Sequence, residues 1–300
     1  MKSVLSIIVT YNFEPWLDKC LSSLLHSSYP TDIIVIDNAS KDNTVGLIRQ
    51  NYPQVILLEN KINLGFGKAN NLGFEYALNR GYDFVFLVNQ DAWIHPDCLT
   101  HLMTKSYPKE IGVISPLHYD GTEQVFDKGF ADYVKQLDLN LDNIICSFVN
   151  AAFWLIPITI IKQIGGFSPL FYHYGEDSDY AHRLHYHGYN IAINRHAIAY
   201  HDRQNRIIDK AGESFFKSEF TYFLTEYANI NYSFQKAFRY AVLGAIKKAL
   251  LAIPKDWQAS TAYFGVALRL VEKTGLVRNA RRENKKLYTS YWRTEKSARN

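Results

Sequence analysis

The stretch at residues 83–93, DFVFLVNQDAW, restricts the fold more than any other part of the chain. An apolar run from Phe84 to Val88 turns abruptly polar at Asn89, Gln90 and Asp91. A run this short, continuous and rich in Val and Phe suits a strand buried on both faces of a parallel sheet. A carboxylate at the C-terminal end of such a strand stands where open α/β sheets bind their ligands.

Three comparable runs precede it, at residues 4–9, 33–36 and 55–58. Between them the apolar spacing is helical: Trp16, Leu17, Cys20, Leu21, Leu24 and Leu25 first, then a segment capped by Asp42, then one from about residue 68 that stops at Gly81. Strand alternating with helix predicts a mostly parallel sheet with crossover helices, an α/β fold. Further on, a helix to about residue 106 and a strand at 111–114 are expected, followed by loops and short strands over 117–143. Residues 147–156 are apolar again, and a short helix ends at Gly165-Gly166. A helix from near Glu176 to His187-Gly188 precedes two short strands, 191–193 and 197–200, the second delivering His201. Beyond about Arg206 the composition changes. Phe234, Phe238, Val242, Ala245, Ile246, Leu250 and Ile253 share one helical face and predict a packed helix ended by Pro254. The expected organisation is a catalytic domain over 1–205 and a helical extension with a basic tail over 206–300.

Composition narrows the classes. Charged residues at 21% and hydrophobic ones at 47% describe an ordinary globular chain. Cys20, Cys98 and Cys146 are odd in number and widely spaced, which speaks against a disulfide framework or zinc knuckle and fits a reducing, cytoplasmic setting. The first apolar run is too short for a signal peptide, and no run is long enough to span a bilayer. The net charge of +4 is uneven: residues 271–300 carry nine Lys/Arg and three Glu, so that segment is +6 and the rest sums to −2. No nucleic-acid partner is expected of so neutral a body.

Polar clusters close the first four strands: Thr10-Tyr11-Asn12, Asp37-Asn38, the segment from Asn63 to Asn71, and Asn89-Gln90-Asp91. Singly each is ordinary, since Asp37 alone is as readily a turn residue. Together on one sheet edge they predict a ligand crevice, where Asp37 can accept from a pyrimidine N3–H or a ribose hydroxyl. The loop Gly65-Phe66-Gly67-Lys68-Ala69-Asn70 follows the third strand and lacks a third glycine, so it is a poor dinucleotide fingerprint. Glycines at a helix start still admit a phosphate to backbone N–H groups, and Lys68 adds positive charge; a simple tight turn accounts for the loop equally well. Asp91 and the distant His201 can share a divalent cation against a diphosphate, although a strand-end histidine also needs only a hydrogen bond. Asp177 lies at the inner edge of a helical face with Tyr180, Ala181 and Leu184, which makes it the candidate general base, with Glu176 or Asp179 as cap or support. His182 and His185 are spaced for zinc but lack further ligands.

The stretches LSIIVTYN, DIIVIDNASKDNT, NLGFGKANN, FLVNQDAWIHPD and IGGFSPLFYHYGEDSDYAHRLHYHGY, followed by His201, stand in the order seen in family 2 glycosyltransferases. Over about residues 3–203 the chain resembles that family, above all its rhamnosyltransferase-like branch, which builds O-antigen and other bacterial surface polysaccharides. The resemblance implies a GT-A nucleotide-diphospho-sugar transferase fold, a dTDP- or UDP-sugar donor, a divalent metal (Mg2+ or Mn2+) and inversion at the anomeric carbon. It assigns Thr10, Tyr11, Asn12 and Asp37 to the nucleotide, and Asn63, Gly65 and Asn70 to the donor site. Asn89-Gln90-Asp91 stands for the Asp-X-Asp metal motif, with Asp91 its surviving acid and His201 completing the metal site. Asp177 is then the catalytic base, supported by Glu176, and Trp154 and Phe171 are walls for a glycan or lipid-linked glycan acceptor. Asn89 in the first motif position, Ala151 where glycine is common, and His201-Asp202-Arg203-Gln204 without a following glycine depart from the family pattern.

Two other classes share these features: a nicotinamide-dependent oxidoreductase, and a nucleotide-sugar-binding protein without catalysis. The C-terminal helix and basic tail suggest docking on an anionic cytoplasmic membrane surface, or equally a helix packed on the catalytic domain.

Overall fold

The computed structural model describes residues 1–141, 143–203, 213–289 and 291. The strands β1 (Val4–Thr10), β2 (Asp32–Asp37), β3 (Ile56–Glu59) and β4 (Phe84–Asn89) alternate with helices α1 (Leu17–Leu25), α2 (Thr44–Asn51) and α3 (Phe66–Arg80). These strands pair in parallel, with Thr10 opposite Asp37 and Val9 opposite Asn89, so their polar ends lie at one level. Successive residues face different cores. Leu5, Ile7, Ile34, Ile36, Val85 and Leu87 pack on one side of the sheet, and Ile8, Val35, Phe86 and Val88 on the other. Burial on both faces is why these strands read as unbroken apolar runs.

Beyond β4 the sheet is less parallel than its first half. β8 (Phe153–Pro157) runs antiparallel between β4 and β6 (Ile111–Asp120). β5 (Ala92–Ile94) and β7 (Asn143–Cys146) both pair antiparallel with β9 (Asn190–His201), which itself runs parallel to β6. The order is β3-β2-β1-β4-β8-β6-β9-β5, with β7 off this path. In a flat sheet, strands three places apart are roughly 14 Å apart. Yet Asn89 Nδ2, at the end of β4, is 3.4 Å from His201 Nε2, at the end of β9. The second half of the sheet therefore rolls back onto the end of β4.

Several expected elements change. The two short strands expected before His201 are one, β9; its register against β6 jumps from Asn194 to Ile198, and this bulge made one strand read as two. Residues 117–143 supply the second half of β6 and a helix, α5 (Lys128–Val134), whose cap Asp127 accepts from the Phe130 N–H at 3.0 Å. The helices α4 (Cys98–Thr104), α6 (Ile158–Ile164) and α7 (Glu176–Tyr186) fall where the sequence puts them.

The extension is wholly helical among the described residues: α8 (Glu213–Ala228), α9 (Phe234–Phe238), a π-turn at Arg239–Leu243, α10 (Gly244–Ala252), α11 (Trp257–Glu272) and α12 (Thr274–Asn284). It has its own core, into which Phe171 of the sheet-bearing part inserts. The apolar face expected from Phe234 to Ile253 is only partly the buried one. Ala237, Ala241, Ala245 and Ala249 pack inward, while Leu250 and Ile253 are exposed. Alanines at four-residue spacing let neighbouring helices approach closely, and the extra residue of the π-turn shifts the register of α10 relative to α9. After α12 the chain returns to the sheet-bearing part. Thr289 Oγ1 donates to the Ile164 carbonyl at 2.9 Å, and Asn71 Nδ2 donates to that of Tyr291 at 2.9 Å. The 205/206 boundary and the last nine residues of the expected basic tail lie outside the described residues.

Candidate active site

The crevice begins where β1 and β2 end. Thr10 Oγ1 donates to Asp37 Oδ1 at 3.1 Å, and Asp37 also accepts from the Ser40 hydroxyl and, at 2.9 Å, from the Ser40 N–H. Asp37 thus organises the turn after it. Asn12, in the left-handed region at φ 55°, donates its N–H to the Ser40 hydroxyl oxygen and accepts the Lys41 N–H on its Oδ1, at 2.9 Å each. Gln90 clamps the facing strand end: its Oε1 accepts from the Tyr11 N–H at 2.7 Å and its Nε2 donates to the Tyr11 carbonyl at 3.2 Å. The Tyr11 ring remains exposed at the mouth.

The glycine loop forms a second wall. Gly65 has φ 78°, and a Cβ there would lie 1.9 Å from the Tyr172 carbonyl oxygen, so only glycine fits. Asn63 Oδ1 accepts the Gly65 N–H at 2.9 Å, and Lys68 is exposed on the first turn of α3. Asn70, expected to line the donor site, instead turns inward; it is buried and its Nδ2 donates back to the Phe66 carbonyl at 3.0 Å.

The closing of the rolled sheet brings Asp91 to His201. Ala92 stands opposite His201 in the β5–β9 pairing, and Asp91 Oδ1 lies 3.1 Å from His201 Nε2. Both are almost fully buried, and His201 Nδ1 has no hydrogen-bond partner among the described residues. Two ligands about 2.1 Å from an octahedral ion and at right angles are about 3 Å apart. The pair therefore fits two adjacent corners of a Mg2+ or Mn2+ site. Among the described residues no group of three or more His, Cys, Asp or Glu is placed to hold a metal ion, so this pair alone would leave the other corners open. Open corners are what phosphate oxygens need. Arg203 completes the positive side, its Nε 3.4 Å from His201 Nε2 and its Nη1 3.7 Å from Asp127 Oδ1.

Asp177 and Arg203 both lie near Tyr133. Asp177 is half-buried at the start of α7 and accepts the N–H groups of Ser178, at 2.8 Å, and Ala151. The next residue, Ala152, accepts the Asn89 N–H at 3.1 Å, so Asp177 and the Asp91–His201 pair adjoin one short run of backbone. Burial pushes the Asp177 carboxyl above the ordinary range. Glu176 is more buried, packed against Gly67, with Oε2 unpartnered among the described residues. Burial first, and then the neighbouring Asp177 charge, push it up to about 8, so it is an acid that can donate at neutral pH. Asp179 holds the architecture together instead, pairing with the fully buried Arg183 at 2.9 Å and accepting from Asn284 of α12 at 3.0 Å.

Two expected acceptor walls are not at the surface. Trp154 has no exposed area; its indole N–H donates to the Val149 carbonyl at 3.1 Å and its ring packs on Phe167 and Tyr180. Phe171 is buried in the core of the extension. Both are core aromatics, as large apolar side chains beside a parallel sheet usually are. The residues that do approach Asp177 and Arg203 went unnoticed in the sequence. Asn150 is buried with an unpartnered Oδ1 among the described residues, and Gly129 of α5 comes close to Arg203, Asp127 and Tyr133. Asp127 ahead of Phe130 was a legible helix cap and the available signal for this wall.

A family model described as Glycosyl transferase family 2 matches residues 6–200. The chain belongs to that family. This glycosyltransferase is 26% identical over 219 residues to the N-acetylglucosaminyl-diphospho-decaprenol L-rhamnosyltransferase of Mycobacterium tuberculosis, covering 61% of this chain and 71% of that one. Among solved structures it is similar to S. aureus TarS 1–349 in complex with UDP-GlcNAc, with TM-score 0.60 and 12% identity over 95% of this chain and 89% of that one. It is also similar to the mannosyltransferase PcManGT of Pyrobaculum calidifontis in complex with GDP-Man and Mn2+, with TM-score 0.56 and 16% identity over 96% and 84%. These likenesses show the GT-A fold. Membership of the family replaces the oxidoreductase alternative, against which the broken glycine pattern of residues 65–70 already counts.

Proposed function

We propose that this glycosyltransferase is inverting and metal-dependent, and moves L-rhamnose from dTDP-rhamnose to a hydroxyl of a lipid-linked oligosaccharide or polysaccharide at the cytoplasmic face of the cell membrane. The observation that carries the mechanism is the contact of Asp91 with His201, with Asp177 accepting the Ala151 N–H one residue before Ala152, which accepts the Asn89 N–H; likeness to the mycobacterial rhamnosyltransferase supports the sugar and the lipid-linked acceptor.

Asp91 and His201 would hold the divalent ion, which supplies charge neutralisation for the departing diphosphate. Arg203 adds a fixed positive charge beside them. Asp177, whose raised pKa makes it a better proton acceptor than a solvated carboxylate, takes the acceptor hydroxyl proton. The acceptor oxygen bonds to the anomeric carbon as the bond from that carbon to the diphosphate oxygen breaks. The nucleoside diphosphate leaves with that bonding pair. Glu176, protonated at neutral pH, donates a hydrogen bond near the glycine loop and so helps to position the donor.

The test is a panel of dTDP-rhamnose, UDP-glucose, UDP-galactose and GDP-mannose, each scored for thermal stabilisation of the protein with Mn2+ and with EDTA. Stabilisation by dTDP-rhamnose with Mn2+, lost in Asp91→Ala, is expected; preference for UDP-glucose or UDP-galactose would move the donor to a UDP-hexose. Asp177→Asn should keep donor binding and lose transfer by at least about 100-fold. Normal turnover in that variant would remove Asp177 as the base. Absence of transfer and hydrolysis with every donor would favour a binding protein without catalysis.

A further inference from the structure

The hairpin of α10 and α11 carries large apolar side chains on its outer surface. Ala245 and Ala249 of α10 and Val266, Ala267 and Leu270 of α11 are buried, whereas Leu250 is 54% exposed, Leu251 64% and Trp257 67%. The turn projects outward: from Leu250 to Gln258 every residue but Ala252 is exposed. On α11 the exposed surface continues through Trp257, Thr261, Phe264, Leu268 and Val271, spaced four, three, four and three residues apart. That spacing is one apolar stripe along a helix, facing away from the core. An exposed stripe of this length marks a surface that meets something.

Charge identifies what it meets. Residues 233–273 contain seven Lys/Arg and two acids, a net charge of +5, although the chain outside its last thirty residues sums to −2. Arg239, Lys247, Lys255 and Arg269 are exposed, and Asp256, one of the two acids, caps α11 by accepting the Ala259 N–H at 2.9 Å. We propose that the α10–α11 hairpin docks on an anionic lipid bilayer, its apolar tip and stripe in the headgroup–acyl boundary and its cations on the lipid phosphates. Long apolar side chains, a tryptophan and flanking cations on a convex surface are the features of an interfacial helix. A second copy of the chain would set two positive faces together. No helix among the described residues is long and apolar enough to cross a membrane.

The hairpin is coupled to the crevice. It packs on α8, and α8 touches the turn before Glu176: a Cβ on Gly175 would lie 2.7 Å from Thr225 Oγ1 and 2.9 Å from Thr221 Cγ2. Docking would fix the Asp177 turn relative to the bilayer plane. The docking itself does not depend on the sugar-transfer reading, and its test needs no turnover.

Full-length protein is sedimented with vesicles of phosphatidylglycerol and phosphatidylethanolamine, and with vesicles of phosphatidylcholine alone, alongside light scattering for oligomeric state. The expected result is binding to the anionic vesicles only. It should fall about tenfold or more in Leu251→Ser combined with Trp257→Ser, through lost apolar burial. In Lys247→Gln combined with Lys255→Gln, and at raised salt, it should weaken. Leu268→Ser, a second site on the stripe, guards against a folding defect at the tip, and circular dichroism should show all variants folded. Failure of the unaltered protein to bind anionic vesicles, or equal binding by folded variants, overturns the proposal. A dimer that these substitutions dissociate, without vesicle binding, gives the surface to a second copy instead.

Discussion

At the scale of single residues, the adjacent carboxyls of Glu176 and Asp177 differ in environment more than in chemistry. Asp177 keeps two backbone donors and partial access to solvent, whereas Glu176 has neither the access nor a partner for Oε2 among the described residues. Because burial raises Glu176 from 4.5 to about 8, the folded protein holds a proton that the unfolded chain releases between those values. Its contribution is therefore fully present below about pH 4.5 and is lost as pH rises through about 8. The slope is at most about 1.4 kcal/mol per pH unit. Glu176→Gln should flatten this decline and leave the protein relatively more stable at pH 8 and above, measured as thermal midpoint against pH; an unchanged profile would contradict the assignment. The catalytic arm should rise with pH through the raised pKa of Asp177. Trp154 teaches the opposite lesson, for nothing in its sequence surroundings separates a core indole from a sugar-stacking one.

At the scale of elements, α7 both presents the Glu176-Asp177 pair and ties the two halves of the chain together. Asp179 and Arg183 form a buried pair, Arg183 donates to the carbonyls of Ile164 and Gly166, and Asn284 brings in α12. Asp179→Ala strands a buried guanidinium and should cost about 3 kcal/mol or more, measured by urea unfolding; a loss under 1 kcal/mol would show that the network is solvated. Strand ends were legible in the sequence because a run buried on both faces has to stop in polar residues, which is why Asp37 and Asn89-Gln90-Asp91 were found. The meeting of Asp91 with His201 rests on β5–β9 pairing across 110 positions, which no local pattern encodes. The helix α5 was missed because its short apolar face hides among charged residues, and α11 because its longest apolar side chains are on the outer face. Asn70 was misplaced for a simpler reason: an asparagine inside a helix can bond back to the preceding turn as readily as it can point outward.

At the scale of the whole molecule, the rolled sheet has a consequence for how the site can move. β4, β8, β6 and β9 are joined by ladders, β9 is joined to β5, and the covalent chain runs from β5 back to β4 through Asp91 and Gln90. The circuit is complete, like a hoop fastened at a rivet. Nothing at the rivet can open unless a ladder elsewhere unzips, so amides of residues 89–94 should exchange hydrogen only with global unfolding, which exchange mass spectrometry can read. Fast exchange there would mean the hoop is slack. On the proposed reading substrate and product come and go past the exposed Tyr11, while the two side chains that would seat the ion stay still.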